Sequence, residues 1–79
     1  MSGLDQRVLA TVAATLKLPL SRVALDTRNE DLAAWDSLGQ VNLMMALEQT
    51  FDIYIEVEDF DGLQSVAAIL EYLARKGVQ

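Results

Sequence analysis

Apolar residues recur along this chain with helical spacing in three long runs, with a shorter element between the last two. Leu4, Val8, Val12 and Leu16 fall every four residues, one stripe down a helix predicted from about Leu4 to Lys17. Ser2, with Asp5 three residues on, fits a capping box at its start. Pro19 biases Leu18 away from helical backbone, so the helix stops before it. The second run extends from about Ser37 to Thr50 and is closed by Phe51 and Asp52. Ile53-Tyr54-Ile55 then predicts a short extended stretch, and Glu56 to Phe60 a short helix. Ser65 caps a last helix that reaches about Lys76, with Val66, Ile69, Leu70 and Leu73 as its apolar face. Arg75 and Lys76 suit the negative end of that helix, and Gly77 suits the position just past it.

Residues 18–36 form a long connection. Pro19, Ser21, Asp26, Thr27 and Asn29 are turn or cap formers, with Leu18, Leu20, Val23, Leu25 and Leu32 interspersed. A loop so rich in leucine is expected to pack down on the core, with a short helical turn near Ser21 to Ala24. Connections this long without regular structure are uncommon and often functional.

The second helix has more apolar residues than one face can use. At about 100° per residue, Leu43, Met44, Leu47 and Phe51 gather on one side, and Leu38, Val41 and Met45 gather nearly opposite. Either the helix is central and buried all round, or one set makes the core and the other is an apolar docking stripe flanked by Glu48. Methionine suits such a stripe because it repacks against several partners.

Composition narrows the chemistry. A chain of 79 residues supports one domain, 1–79, with one core, and 52% hydrophobic residues must stabilise it by packing. There is no cysteine and no histidine, hence no disulfide, no thiolate metal site and no usual general base. No apolar run approaches the roughly 20 residues of a membrane span, and the start lacks a signal-peptide pattern. The expectation is a cytoplasmic protein with no membrane span.

The net charge of −6 is unevenly spread. All basic residues (Arg7, Lys17, Arg22, Arg28, Arg75, Lys76) lie outside the stretch from Asn29 to Ala74. That stretch holds Glu30, Asp31, Asp36, Glu48, Asp52, Glu56, Glu58, Asp59, Asp61 and Glu71. Such a surface repels phosphate backbones, so nucleic acid is excluded as a partner. It either keeps a small domain soluble or speeds encounter with basic protein surfaces. A monomer is the expected state.

One residue can carry chemistry. Ser37 stands where the long connection becomes the second helix, between Asp36 and Leu38. As a structural element it fits a capping box, with Ser37 at the N-cap and Gln40 at N3. Nucleophilic catalysis would need a base that the chain lacks. Modification by another enzyme needs no local base, only an exposed hydroxyl at a rigid position, and a helix start also stabilises an attached phosphodiester. Gly39 either keeps the surface beside the serine bare or is an ordinary tolerated glycine.

With these residues in view, the chain resembles the acyl carrier proteins over essentially its full length. The resemblance rests on Asp36-Ser37-Leu38, then Val41, Leu43, Met45-Ala46-Leu47-Glu48 and Phe51, then Ile53-Tyr54-Ile55. It implies an all-α bundle of three principal helices plus one short helix. It implies a 4′-phosphopantetheine arm on Ser37, attached by a phosphopantetheinyl transferase that Asp36 helps to recognise. The arm's thiol would carry acyl or aminoacyl groups as thioesters. Leu38, Val41, Met45 and Glu48 match positions that touch partner enzymes: the acyl-loading ligase or synthase and the downstream acyl-transfer enzymes. No metal and no catalytic residue is implied, and the chain is a carrier, not an enzyme. Gly39, Gln40, Asn42, Gln49 and Thr50 stand where acids are usual, and Trp35 where a small residue is. These departures point to a specialised fatty acid, polyketide or lipid-modification pathway. The alternatives are a D-alanyl or other aminoacyl carrier, which Asp36-Ser37-Leu38-Gly39 and Glu58-Asp59-Phe60 also resemble, and a non-carrier acidic interaction module of the same fold.

Overall fold

A computed structural model describes residues 3–78. Three α-helices dominate: α1 (Gly3–Leu16), α2 (Ser37–Phe51) and α3 (Val66–Arg75). The short element before α3 is a 3-10 helix, Val57–Gly62, shifted slightly later than its expected bounds. Two further 3-10 turns lie in the long connection, Leu20–Arg22 and Asn29–Asp31; the first was expected, the second was not. The all-α bundle of three principal helices thus stands. The expected Ser2 cap of α1 falls outside the described residues.

α1 packs against both α2 and α3, and α2 also meets the 3-10 segment Val57–Gly62. The core is one cluster: Val8, Leu9, Val12 and Leu16 from α1, Leu43, Met44, Leu47 and Phe51 from α2, and Val66, Ile69 and Leu73 from α3. Val23, Leu32 and Trp35 add the long connection to it, while Leu20 and Leu25 stay exposed. The loop is therefore packed down by only some of its apolar residues.

All three helices stop in the same way. The backbone turns left-handed at Lys17 (φ 59°), Asp52 (φ 54°) and Gly77 (φ 81°). In each case the next N–H reaches back five residues: Leu18 to Ala13 O, Ile53 to Glu48 O and Val78 to Leu73 O. This is the Schellman arrangement, which satisfies carbonyls that a helix end otherwise leaves unpaired. Only Gly77 adopts the conformation without a steric cost. Arg7 secures the end of α2 from outside, donating to Thr50 O at 3.3 Å with its guanidinium 4.6 Å from the centre of the Phe51 ring. A cation there also suits the negative end of the helix.

The long connection is fastened at its middle. Arg28 and Ser65 form an isolated antiparallel bridge, with Asn29 N–H donating to Gln64 O (2.8 Å) and Val66 N–H to Thr27 O (3.0 Å). Thr27 is buried, and its Oγ1 accepts from Ala24 N–H at 2.8 Å. Tyr72 of α3 donates its hydroxyl to Asp59 Oδ2 at 3.0 Å, tying the 3-10 segment to α3. Burial first, and the bond to Asp59 next, push the Tyr72 pKa up, so its proton and this tie persist into the alkaline range.

Candidate functional site

The start of α2 differs from expectation by one residue, and the difference has chemical consequences. Asp36, not Ser37, is the N-cap: its backbone is extended (φ −93°, ψ −167°) and its Oδ1 accepts from Gly39 N–H at 2.8 Å. A carboxylate here is favoured twice, by satisfying a first-turn N–H and by facing the positive end of the helix. The Ser37–Gln40 capping box does not form. Ser37 is instead the first helical residue, exposed, and its hydroxyl makes no hydrogen bond among the described residues.

Gln40 is not a capping residue either. It is 8% exposed, and every polar atom of its side-chain amide is engaged. Its Oε1 accepts from the indole Nε1–H of Trp35, itself 3% exposed, at 2.6 Å. Its Nε2 donates to Phe60 O at 2.7 Å and Leu63 O at 3.0 Å. One side chain thus joins the residue before the motif, the first turn of α2 and the end of the 3-10 segment. The sequence does contain a signal for this. At about 100° per residue, Gln40 falls among Leu43, Leu47 and Phe51, on the inner face. A buried tryptophan also needs a partner for its N–H.

Gly39 is buried, not a bare surface position. A β-carbon there would collide with the backbone carbonyl of Ala34 and lie 3.1 Å from Leu16 Cδ2 and 3.3 Å from Asp36 Oδ1. Glycine therefore lets the end of α1 and the chain before Asp36 close on the first turn of α2, which is how the serine is held.

The outer side of α2 carries the expected apolar stripe: Leu38 is 69% exposed, Val41 43% and Met45 52%. The helix is thus not buried all round. Glu48, expected beside this stripe, is half-buried, and its Oε2 accepts from Ile55 N–H at 2.8 Å. One of its oxygens is committed to holding the segment that leaves α2, where Ile53 is half-buried, Tyr54 exposed and Ile55 buried. Besides Ser37 and Val41, a recess beside the serine is lined by Trp35, Gln40, Asp61 and Gln64. Among the described residues no group of acids is arranged to hold a metal ion, and no helix is long and apolar enough to cross a membrane.

Comparison with known proteins identifies relatives along most of the chain. The family model described as "Phosphopantetheine attachment site" matches residues 6–73. The acyl carrier protein of Akkermansia muciniphila is 35% identical over 75 residues, which cover 94% of this chain and 92% of that protein.

Proposed function

The chain belongs to the acyl carrier protein family, and on that footing we propose that Ser37 is the residue bearing its 4′-phosphopantetheine arm. Proteins of this family are carriers, not enzymes; a phosphopantetheinyl transferase attaches the arm, and acyl-handling enzymes load and unload it. Membership sets aside the unmodified interaction module that the sequence left open. When attached, the arm supplies a thiol that holds an acyl group as a thioester.

The observation that carries the reading is the unengaged hydroxyl of Ser37. A capping serine has its oxygen committed to a first-turn N–H, and modification would disturb that bond. Here Asp36 does the capping and leaves Ser37 exposed on a rigid turn. In attachment, a new bond forms between Ser37 Oγ and phosphorus as the phosphoanhydride of coenzyme A breaks. The adenosine bisphosphate half departs, and the serine proton passes to the transferase, since this chain has no histidine to take it. The resulting phosphodiester lies at the positive end of α2, which favours an anion.

Leu38, Val41 and Met45 form the surface that partner enzymes touch, with Glu48 at its edge. Within α2 Glu48 is the single acidic residue, and it is partly committed to Ile55. So thin an acidic lining supports a specialised fatty acid, polyketide or lipid-modification pathway over partners that read a densely acidic helix. In this reading the chain acts in the cytoplasm as one carrier domain and a monomer.

The test is intact mass after incubation with coenzyme A and a broad-specificity phosphopantetheinyl transferase. Wild type is expected to gain one phosphopantetheine and Ser37→Ala none. A gain on Ser37→Ala, or none on folded wild type, would overturn the assignment of Ser37. Offering the holo form to acyl and aminoacyl ligases then separates the acyl from the D-alanyl or other aminoacyl pathways.

A further inference from the structure

The recess beside Ser37 opens between the first turn of α2 and the 3-10 segment Val57–Gly62. Asp61 and Gln64 form its rim, and its two buried lining residues, Trp35 and Gln40, form its floor. That floor is a polar lock. Both hydrogens of the Gln40 amide are used, on Phe60 O and Leu63 O, and its oxygen is taken by the Trp35 indole. Among the described residues no buried side-chain polar atom lacks a partner.

A thioester-bound hydrocarbon escapes water most completely by entering the interior of its carrier. Entry here would displace the Gln40 side chain and strand the buried Trp35 N–H and the Leu63 carbonyl, neither of which a hydrocarbon can satisfy, while Phe60 O would keep only its bond from Leu63 N–H. We propose that the Trp35–Gln40 lock bars apolar cargo from the interior, so this carrier holds its thioester outside the bundle. Its cargo class is accordingly one that water tolerates: short or polar acyl groups, aminoacyl groups included. The proposal rests on Ser37 as the attachment point.

The test loads wild type and Gln40→Leu with butanoyl-, octanoyl- and dodecanoyl-phosphopantetheine, using the matching acyl coenzyme A and a transferase, and checks each product by intact mass. The readouts are the rate of thioester cleavage by hydroxylamine and the backbone amide shifts. In wild type, the three lengths are expected to be cleaved alike, with shifts confined to residues around Ser37. In Gln40→Leu, dodecanoyl cleavage is expected to slow about tenfold or more, the factor that roughly two buried methylenes supply. Cleavage that slows with length in wild type, with shifts at Leu43, Leu47 and Ile69, would overturn the proposal. Equal rates at all lengths in a folded Gln40→Leu would overturn the role of Gln40. The wild-type series decides the question even where the variant fails to fold. A missing mass gain would instead sink the Ser37 assignment, and with it this proposal.

Discussion

Leu38 and Gln40 lie two residues apart at the start of α2, and their burial reverses their hydropathy. The leucine is 69% exposed and the glutamine 8%. Farther along the helix the same two sides continue: Leu43, Met44 and Leu47 are almost completely buried, while Val41 and Met45 face solvent. Side-chain chemistry alone therefore does not sort this helix. Angle does, because the inner side meets α1 and the 3-10 segment, whereas the outer side faces solvent over much of its surface. Where the inner side is polar, as at Gln40, the surroundings supply partners, because an unpaired buried amide would be costly. Where the outer side is apolar, as at Leu38 and Met45, it stays exposed.

The largest effect expected from this contrast is at paired positions on the two sides. Leu47→Ala should cost about 2–5 kcal/mol of folding stability. Met45→Ala should stay within about 0.5 kcal/mol, as surface changes do. Equal losses in urea denaturation would erase the distinction between the faces. Glu48 tests its boundary. If its carboxylate holds Ile55, Glu48→Ala should cost about 1.5–3 kcal/mol, the range for hydrogen bonds to charged groups. An unchanged denaturation midpoint would show that the bond to Ile55 contributes nothing and would return Glu48 to the outer stripe.

Gly39→Ala sharpens the inner side at the serine. Helical propensity predicts a gain of about 1 kcal/mol. Overpacking predicts a loss of about 1–3 kcal/mol. The loss should win, because the nearest obstacle is the Ala34 backbone carbonyl, which cannot swing aside as a side chain can. A thermal midpoint above wild type would show that the close approach relaxes freely. The smallest effect separates neighbours. Asp36→Ala should cost about 1 kcal/mol as a lost cap, whereas Ser37→Ala should fall within about 0.5 kcal/mol as a surface change. A larger loss at Ser37 than at Asp36 would restore the serine as the cap and remove the observation on which its proposed role as attachment point rests.

Much of this could be read without coordinates. Helical periodicity located α1, α2 and α3 to within a residue or so, and the opposed sets on α2 were separable by angle alone. Gly77 and Pro19 marked stops through their own backbone restrictions. Lys17 and Asp52 gave no such mark, because neither residue type favours a left-handed turn strongly enough to announce it. The cap was ambiguous for a similar reason: aspartate and serine are both good N-caps, and they stand side by side.

What the sequence by itself determined is therefore local: where the helices lie, that α2 carries two opposed apolar sets, and that one serine stands at a helix start. These follow from 3.6 residues per turn and from the intrinsic preferences of single residues. Only the tertiary structure decided that Asp36 caps and Ser37 is left unengaged. It also decided that Gly39 is a point of close approach, that Glu48 turns back to Ile55, and that Trp35, Gln40, Phe60 and Leu63 close one lock. The lock and the close approach at Gly39 depend on which distant segment returns to the start of α2, and long-range pairing of that kind leaves no periodic trace in the chain; the cap and the Glu48 bond are choices among neighbouring partners that single-residue preferences do not separate.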